Sequence, residues 1–342
     1  MRIRNPRRSV LTGAVAALGV CSLVLAFIAP GVEETKVDLN DGGVWVTNAK
    51  RGIVAHVNVP ARLMDAGLHA ASSAFDVFQN GEQVQLSDQA ANTLSPIDVT
   101  TATLTSAVDY RGMTTDVRGG TIAVTDAPNG KVWVQQADHP APINADDADA
   151  SISDVPGAIT TVDSEGNVHA VSAEAGHVTS LLKRRALTDT KTTPLTGIGA
   201  TDYLQIAAVG TDVVVWDQDT STLYLPGGKT QRIDGERIVL QDTGPKTNEV
   251  LLSSPDALIR VPIGGGSPTT VPAPAPGGNP TRPVAHNKCA YAAWSATGAF
   301  VRDCPSDADD REMVVDSLAS AEKAIFRTNR DVIVLNDIEK DG

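Results

Sequence analysis

Val44-Trp45-Val46-Thr47-Asn48, a break at Gly52, and then Val54-Ala55-His56-Val57 form a unit that recurs down the chain. It returns as Ile122-Ala123-Val124-Thr125-Asp126, Asn129-Gly130 and Val132-Trp133-Val134. Two further copies are Ile159-Thr160-Thr161-Val162-Asp163 through Gly166 to Val168-His169-Ala170-Val171, and Val213-Val214-Val215-Trp216-Asp217 to Leu223-Tyr224-Leu225. β-branched runs of alternating character read as strands, and Asn or Asp with Gly supplies the positive φ of a tight turn. Each copy is therefore a hairpin. A lone hairpin cannot bury its apolar face, so regularly spaced copies must stack on one another.

Weaker copies follow the same pattern: Phe75-Asp76-Val77-Phe78 with Asn80-Gly81 and Val84-Gln85-Leu86, and Val250-Leu251-Leu252 through Pro255-Asp256 to Leu258-Ile259-Arg260-Val261. Stretches around Ala102 and around Val239 can supply the remaining strands. The spacing, roughly 40 residues per copy, is that of four-stranded propeller blades. Tandem β-sandwich domains would need about 100 residues per unit. The one linker-like stretch, residues 264–283 (GGGSPTTVPAPAPGGNPTRP), falls between two hairpin copies. The expected fold is all-β: a β-propeller over residues 42–342 with about seven four-stranded blades, eight being the alternative. Short helical turns are expected only near residues 61–72 and 317–325.

The 342 residues are 42% hydrophobic and 4% aromatic, with a net charge of −13. Setting aside Arg2, Arg4, Arg7 and Arg8 leaves 24 basic residues against 41 acidic ones. Such a surface repels phosphate backbones, which argues against nucleic-acid binding. Those four arginines form a basic tail, residues 1–9, ahead of an uncharged run, residues 10–29. At 1.5 Å per residue the run spans roughly 30 Å, the thickness of a bilayer core. The flanking arginines then set the topology, with the N-terminus cytoplasmic and everything after an acidic spacer at residues 30–41 outside. Secretion after signal cleavage is the alternative, but no good A-x-A site follows the run. Arg7-Arg8 resembles a twin-arginine signal, but plain positive-inside arginines are the favoured reading because the apolar run is strong; Val20 is too bulky for a lipoprotein box at Cys21.

Cys21 lies within the apolar run, which leaves Cys289 and Cys304 for the exported part. The segment between them folds symmetrically about Ser295-Ala296-Thr297-Gly298, placing Trp294 opposite Ala299, Ala293 opposite Phe300, and the cysteines opposite each other. That register predicts a cross-strand disulfide. The spacing is not C-x-x-C, so a redox-active pair is the weaker reading. At the other end, Val332-Ile333-Val334-Leu335 reads as the first half of a last hairpin with its turn in residues 337–342. Either that strand closes the ring beside the first copy, or the chain is cut short.

The basic tail, single anchor, Glu33-Glu34-Thr35-Lys36-Val37-Asp38-Leu39-Asn40-Asp41 spacer and GVWVTN-type hairpins together resemble the N-terminal region of large actinobacterial membrane-anchored surface proteins. Those proteins carry tandem immunoglobulin-like or fibronectin type III domains further along. The resemblance implies a cell-surface location and a sandwich array following this segment.

Chemistry is sparse at the level of motifs. The histidines His56, His69, His139, His169, His177 and His286 show no metal-binding spacing; stacking of blades could bring only His56 and His169 together. Acidic clusters at Asp146, Asp147 and Asp149 and at Asp307, Asp309 and Asp310 are weak calcium candidates. No nucleophile elbow, Walker loop or dinucleotide fingerprint is present, and no cofactor is expected. Trp45, Trp133, Trp216 and Trp294 read as packing between blades. Two functions remain: a non-enzymatic scaffold binding a protein, peptide or glycan at the propeller face, or a hydrolase or lyase with a site built from blade loops. The lining of the central channel separates them, because catalysis would require carboxylates, Arg and His to converge there.

Overall fold

The computed structural model describes residues 42–144, 149–184, 187–306 and 310–339. The tail, the apolar run and the whole spacer therefore lie outside the described residues, as do Asp146, Asp147, Asp307 and Asp309. Among the described residues no helix is long and apolar enough to cross a membrane.

Residues 40–342 form one compact unit built as a seven-bladed β-propeller. Seven antiparallel sheets of three to five strands follow one another along the chain. Blade 1 covers residues 43–69, blade 2 residues 75–109, blade 3 residues 114–136, and blade 4 residues 159–194. Blades 5, 6 and 7 cover residues 204–232, 239–272 and 279–314. A two-stranded closing hairpin, Ala324–Asn329 with Val332–Asp337, completes the set. Blades 4, 5 and 6 have the expected four strands, whereas blades 1 and 3 have three. In blade 7 the first strand is split into Asn279–Pro280 and Val284–His286, and both pieces pair with Cys289–Ser295.

The order of the ring can be read from its cores, since each pair of neighbouring sheets buries its own apolar cluster. Trp45 packs with Phe75 and Val77 between blades 1 and 2, and Leu94 with Ile122 between blades 2 and 3. Val132 meets Val162 and Val168 across blades 3 and 4, and Val171 meets Ile206 and Val215 across blades 4 and 5. Trp216 packs with Leu240 and Val250 across blades 5 and 6, and Leu258 with Trp294 across blades 6 and 7. Tyr291 and Phe326 join blade 7 to the closing hairpin. Polar bonds close the circle: Asn336 Nδ2 donates to the Thr47 carbonyl at 2.8 Å, and the Ala49 N–H donates to the Ile338 carbonyl at 2.7 Å. Stacking sheets face to face is what gives each hairpin the second surface it cannot supply alone. All four tryptophans are buried, and the Trp294 indole N–H donates to the Ser254 carbonyl of blade 6 at 2.6 Å.

The aspartates that end so many strands shape turns. The Asp88 carboxylate accepts the N–H groups of Ala90 and Ala91, and Asp98 those of Thr100 and Thr101. Asp217 accepts those of Asp219 and Thr220 in the same manner. A carboxylate held this way satisfies N–H groups that the reversing chain has taken out of the ladder.

Four expectations are corrected. Residues 61–72 form no helical turn; Leu63–His69 is the outer strand of blade 1, paired with Ile53–Asn58 across an irregularity at His56/Val57. Its Leu, Met and Ala favour helix weakly, and the open ladder edge outweighs that preference. Near residues 317–325 only Asp316–Ala319 is helical, and Ala324 already begins a strand. Val332–Asp337 is consequently the second half of its hairpin, with Ala324–Asn329 as the first and Arg330, at φ 49°, in the turn. The stretch 264–283 does not serve as a linker either: Thr269–Pro272 is the outer strand of blade 6, and Asn279–Pro280 opens blade 7.

Candidate functional site

From blade 1 to blade 6 the first strands of neighbouring blades contact one another, and the Asp242 N–H after the blade 6 strand donates to the Pro283 carbonyl of blade 7 at 3.1 Å, while the last strands, such as Thr269–Pro272 and Arg311–Val314, are largely exposed. The first strands therefore line the axis. Side chains alternate across a strand, so every second residue of each first strand can face that axis.

Here charges from separate blades converge. Arg327, on the first strand of the closing hairpin, ion-pairs with Asp76 on the first strand of blade 2. It also reaches the Val77 carbonyl at 3.4 Å, and its Nε is buried without a partner. Asp116 and Arg118 share one face of the blade 3 strand Thr114–Arg118. The Asp116 carboxylate accepts the Val162 N–H of blade 4 at 2.8 Å. Beside it the Thr161 hydroxyl meets the Thr243 hydroxyl of blade 6 at 2.7 Å. Asp242 pairs with Arg282 of blade 7 at 3.5 Å. Three aspartates and three arginines from blades 2, 3, 6 and 7 and the closing hairpin thus share one region.

The electrostatics tie them together. Burial pushes the Asp116 carboxyl above the usual carboxylate range, against the opposing pull of Arg118 and of the Val162 and Val117 N–H groups. Burial also raises Asp242, opposed by Arg282, then Arg118, then Arg327. Asp242 keeps 40% of its side-chain surface open even though protein crowds it closely enough to raise its pKa. That combination suits the wall of a narrow channel, where water is present but scarce. Because three arginines on separate elements act on one carboxylate, they share an electrostatic neighbourhood.

A separate cleft of about 560 Å³ lies between blades 6 and 7. Its floor includes Leu251, Ala285 and Ala290, and Lys246 and Lys288 are among its lining residues. Arg260, also in the lining, is held by Glu249 of its own blade at 2.6 Å and by Asp303 of blade 7. Desolvation weakens the hold on its proton, but the two carboxylates outweigh that effect and raise its pKa.

The sequence candidates fare unevenly. Cys289 and Cys304 form the expected disulfide, with S–S at 2.06 Å, and Ala293↔Phe300 and Trp294↔Ala299 stand in the expected register. His56 bonds Asp65 at 2.6 Å within blade 1, and His169 bonds Asp163 and Ser180 within blade 4, so each is held in its own blade. Of the calcium candidates Asp149 and Asp310 are described; Asp149 is exposed, and the Asp310 carboxylate accepts the Cys304 N–H at 2.7 Å. Among the described residues no cluster of His, Cys, Asp and Glu could hold a metal ion. The topology arginines lie outside the described residues. The axial residues Asp76, Asp116, Arg118, Asp242, Arg282 and Arg327 were missed. Their one local signal is a charge inside or beside an otherwise uncharged innermost strand, most plainly in Asp116-Val117-Arg118.

No protein-family model matches the chain, and no curated protein sequence matches it. Solved structures do match in shape. A dihydro-heme d1 dehydrogenase, NirN, solved in complex with DHE, superposes with a TM-score of 0.57 at 10% identity, over 88% of this chain and 68% of that one. Apo AztD from Citrobacter koseri gives 0.52 at 12% identity, over 86% of this chain and 88% of that one. A second structure of Citrobacter koseri AztD also gives 0.52, at 10% identity, over 88% and 99%. At such identities the likeness is one of fold, and that fold is the β-propeller.

Proposed function

We propose that this protein is a membrane-anchored, extracytoplasmic β-propeller that binds a protein, peptide or glycan ligand at the mouth of its axial channel. One observation carries the reading: charged side chains from five separate elements of the ring converge on the axis, where packing alone would favour small or apolar groups. The anchor is residues 10–29, oriented by Arg2, Arg4, Arg7 and Arg8, in keeping with the resemblance to actinobacterial surface proteins.

Binding is favoured over catalysis because the carboxylates are committed. Asp76 is paired to Arg327, Asp242 to Arg282, and Asp116 to a backbone N–H, with no histidine or nucleophile in the set. A hydrolase or lyase is the second reading. It is supported by the raised pKa values of Asp116 and Asp242, which suit general acid–base work.

The test screens the full chain against peptide and glycan arrays beside the double variant R118Q/R282Q, with protease added to intact cells to locate the propeller. The reading expects ligands that the double variant loses and cleavage from outside the cell. Hits retained in full by the variant would sink the channel site. Turnover of a hit, abolished by D116N or D242N, would establish the enzyme.

A further inference from the structure

We propose that the cleft between blades 6 and 7 is a second binding site, for a small organic anion with an apolar body and a carboxylate or phosphate head. Its volume, about 560 Å³, falls in the range of small-molecule sites. The floor is apolar, formed by Leu251 on one side and Ala285 and Ala290 on the other. Those alanines leave room that larger side chains would fill.

The rim carries the polar half of the match. Lys246 lies in the segment leading to the second strand of blade 6, and Lys288 in the turn between Val284–His286 and Cys289–Ser295. Both are exposed, and among the described residues neither makes a hydrogen bond or ion pair. The Asn248 side-chain amide beside them has no partner either. Arg260 with its two carboxylate partners, Glu249 and Asp303, sums to −1, so the two unpaired lysines leave this part of the rim at a net +1 in a chain of net charge −13.

The backbone supplies an independent argument. Asn287 and Lys288 have φ values of 47° and 67°, the left-handed pair of a two-residue hairpin turn. Gly is the favoured residue at the second of these positions, and a lysine there is strained. The turn alone would do better with glycine. Asn287 is fixed through its amide to the Asp331 carbonyl at 3.4 Å, so Lys288 is presented from a held turn. The Cys289–Cys304 disulfide staples the two strand ends immediately beneath it.

The test is isothermal titration calorimetry on the full chain in lipid nanodiscs, with empty nanodiscs as the reference. The probes are 1-naphthoate, 1-naphthyl phosphate and the uncharged 1-naphthalenemethanol. At least one anion should bind saturably, with the uncharged probe about tenfold weaker, and K246Q/K288Q should lose about tenfold in affinity for that anion. K191Q, which removes a distant lysine on blade 4, should bind as the wild type does. K288G relieves the turn, so it should match or exceed wild-type stability while binding the anion less well. Which anion wins distinguishes a carboxylate from a phosphate ligand. The proposal fails if the uncharged probe binds as tightly as the anions, if K246Q/K288Q and K288G bind them unchanged, or if neither anion binds.

Discussion

Asp163 offers the sharpest test of how the hairpin turns hold this ring. Its side chain is fully buried at the end of the blade 4 strand Ile159–Val162. The carboxylate accepts the Glu165 N–H at 2.8 Å, the Asn167 N–H at 3.0 Å and the Asn167 side-chain amide at 2.7 Å. His169 Nε2 completes the shell at 3.2 Å, and its Nδ1 lies 2.8 Å from the Ser180 hydroxyl. Asp163→Asn keeps one carbonyl oxygen for the two backbone N–H groups but turns an NH₂ toward two other donors. It therefore sacrifices two charge-assisted bonds, at a cost of about 3 kcal/mol. Asp163→Ala leaves every donor unpaired, for about 4 kcal/mol or more. In urea unfolding followed by tryptophan fluorescence, these correspond to a midpoint lower by about 1 M or more at a slope of ~3 kcal/mol/M. The network also predicts a pH dependence. Burial acts to raise the Asp163 pKa, and the bonds from His169 and Asn167 outweigh it, leaving the pKa below 3.8. Its contribution is complete above the unfolded value and lost as pH falls through the folded one, so D163N should flatten that part of the acid limb. A midpoint loss for D163A no larger than that of the exposed control D149N would refute the reasoning.

Three further outcomes follow from the same structure. Cys289→Ser opens a link across a sequence separation of 15 residues, which should cost about 3 kcal/mol; dithiothreitol should lower the melting temperature of the wild type and leave that variant unchanged. Asp116 titrates above its unfolded value, so the native state holds its proton longer and stability falls as pH rises from 3.8 through the folded pKa. In D116N that decline should disappear from a pH series of unfolding curves, and its persistence would place the effect elsewhere. Arg327→Gln cuts the tie from the closing hairpin to Asp76 and the Val77 carbonyl of blade 2. Losing one partner of a largely buried pair, at about 2 kcal/mol, should speed hydrogen exchange in residues 324–337 about 30-fold while blade 5 stays protected.

Much of the fold could be read from residue order because the hairpin is a local object. Ile122–Asp126 and Val132–Val134 alternate about Asn129-Gly130 whatever else the chain does, and they pair as the pattern requires. The cysteine register was equally legible, since a symmetric turn leaves one alignment. Reading failed where a strand's identity came from its neighbour. Leu63–His69 looks helical in isolation and is a strand because blade 1 offers it an edge. Val332–Asp337 was recognised as a strand but assigned to the wrong half of its hairpin, because Ala324–Asn329, with Arg327 and Asn329 in it, lacks the β-branched run of the other copies.

By itself, then, the sequence determined the repeating hairpin, its spacing, the turn aspartates and the disulfide partners. The hairpin, the turn aspartates and the disulfide depend on residues within some 15 positions of one another, where alternation and turn chemistry act directly, and the spacing is only the repetition of that local unit. The axial cluster and the cleft were decided only in three dimensions. Asp76 and Arg327 lie 251 residues apart, and Asp116 and Val162 lie 46 apart. No local propensity relates such residues. What brings them together is the closing of the ring, which sets every innermost strand around one axis and turns isolated charges into a shared electrostatic site.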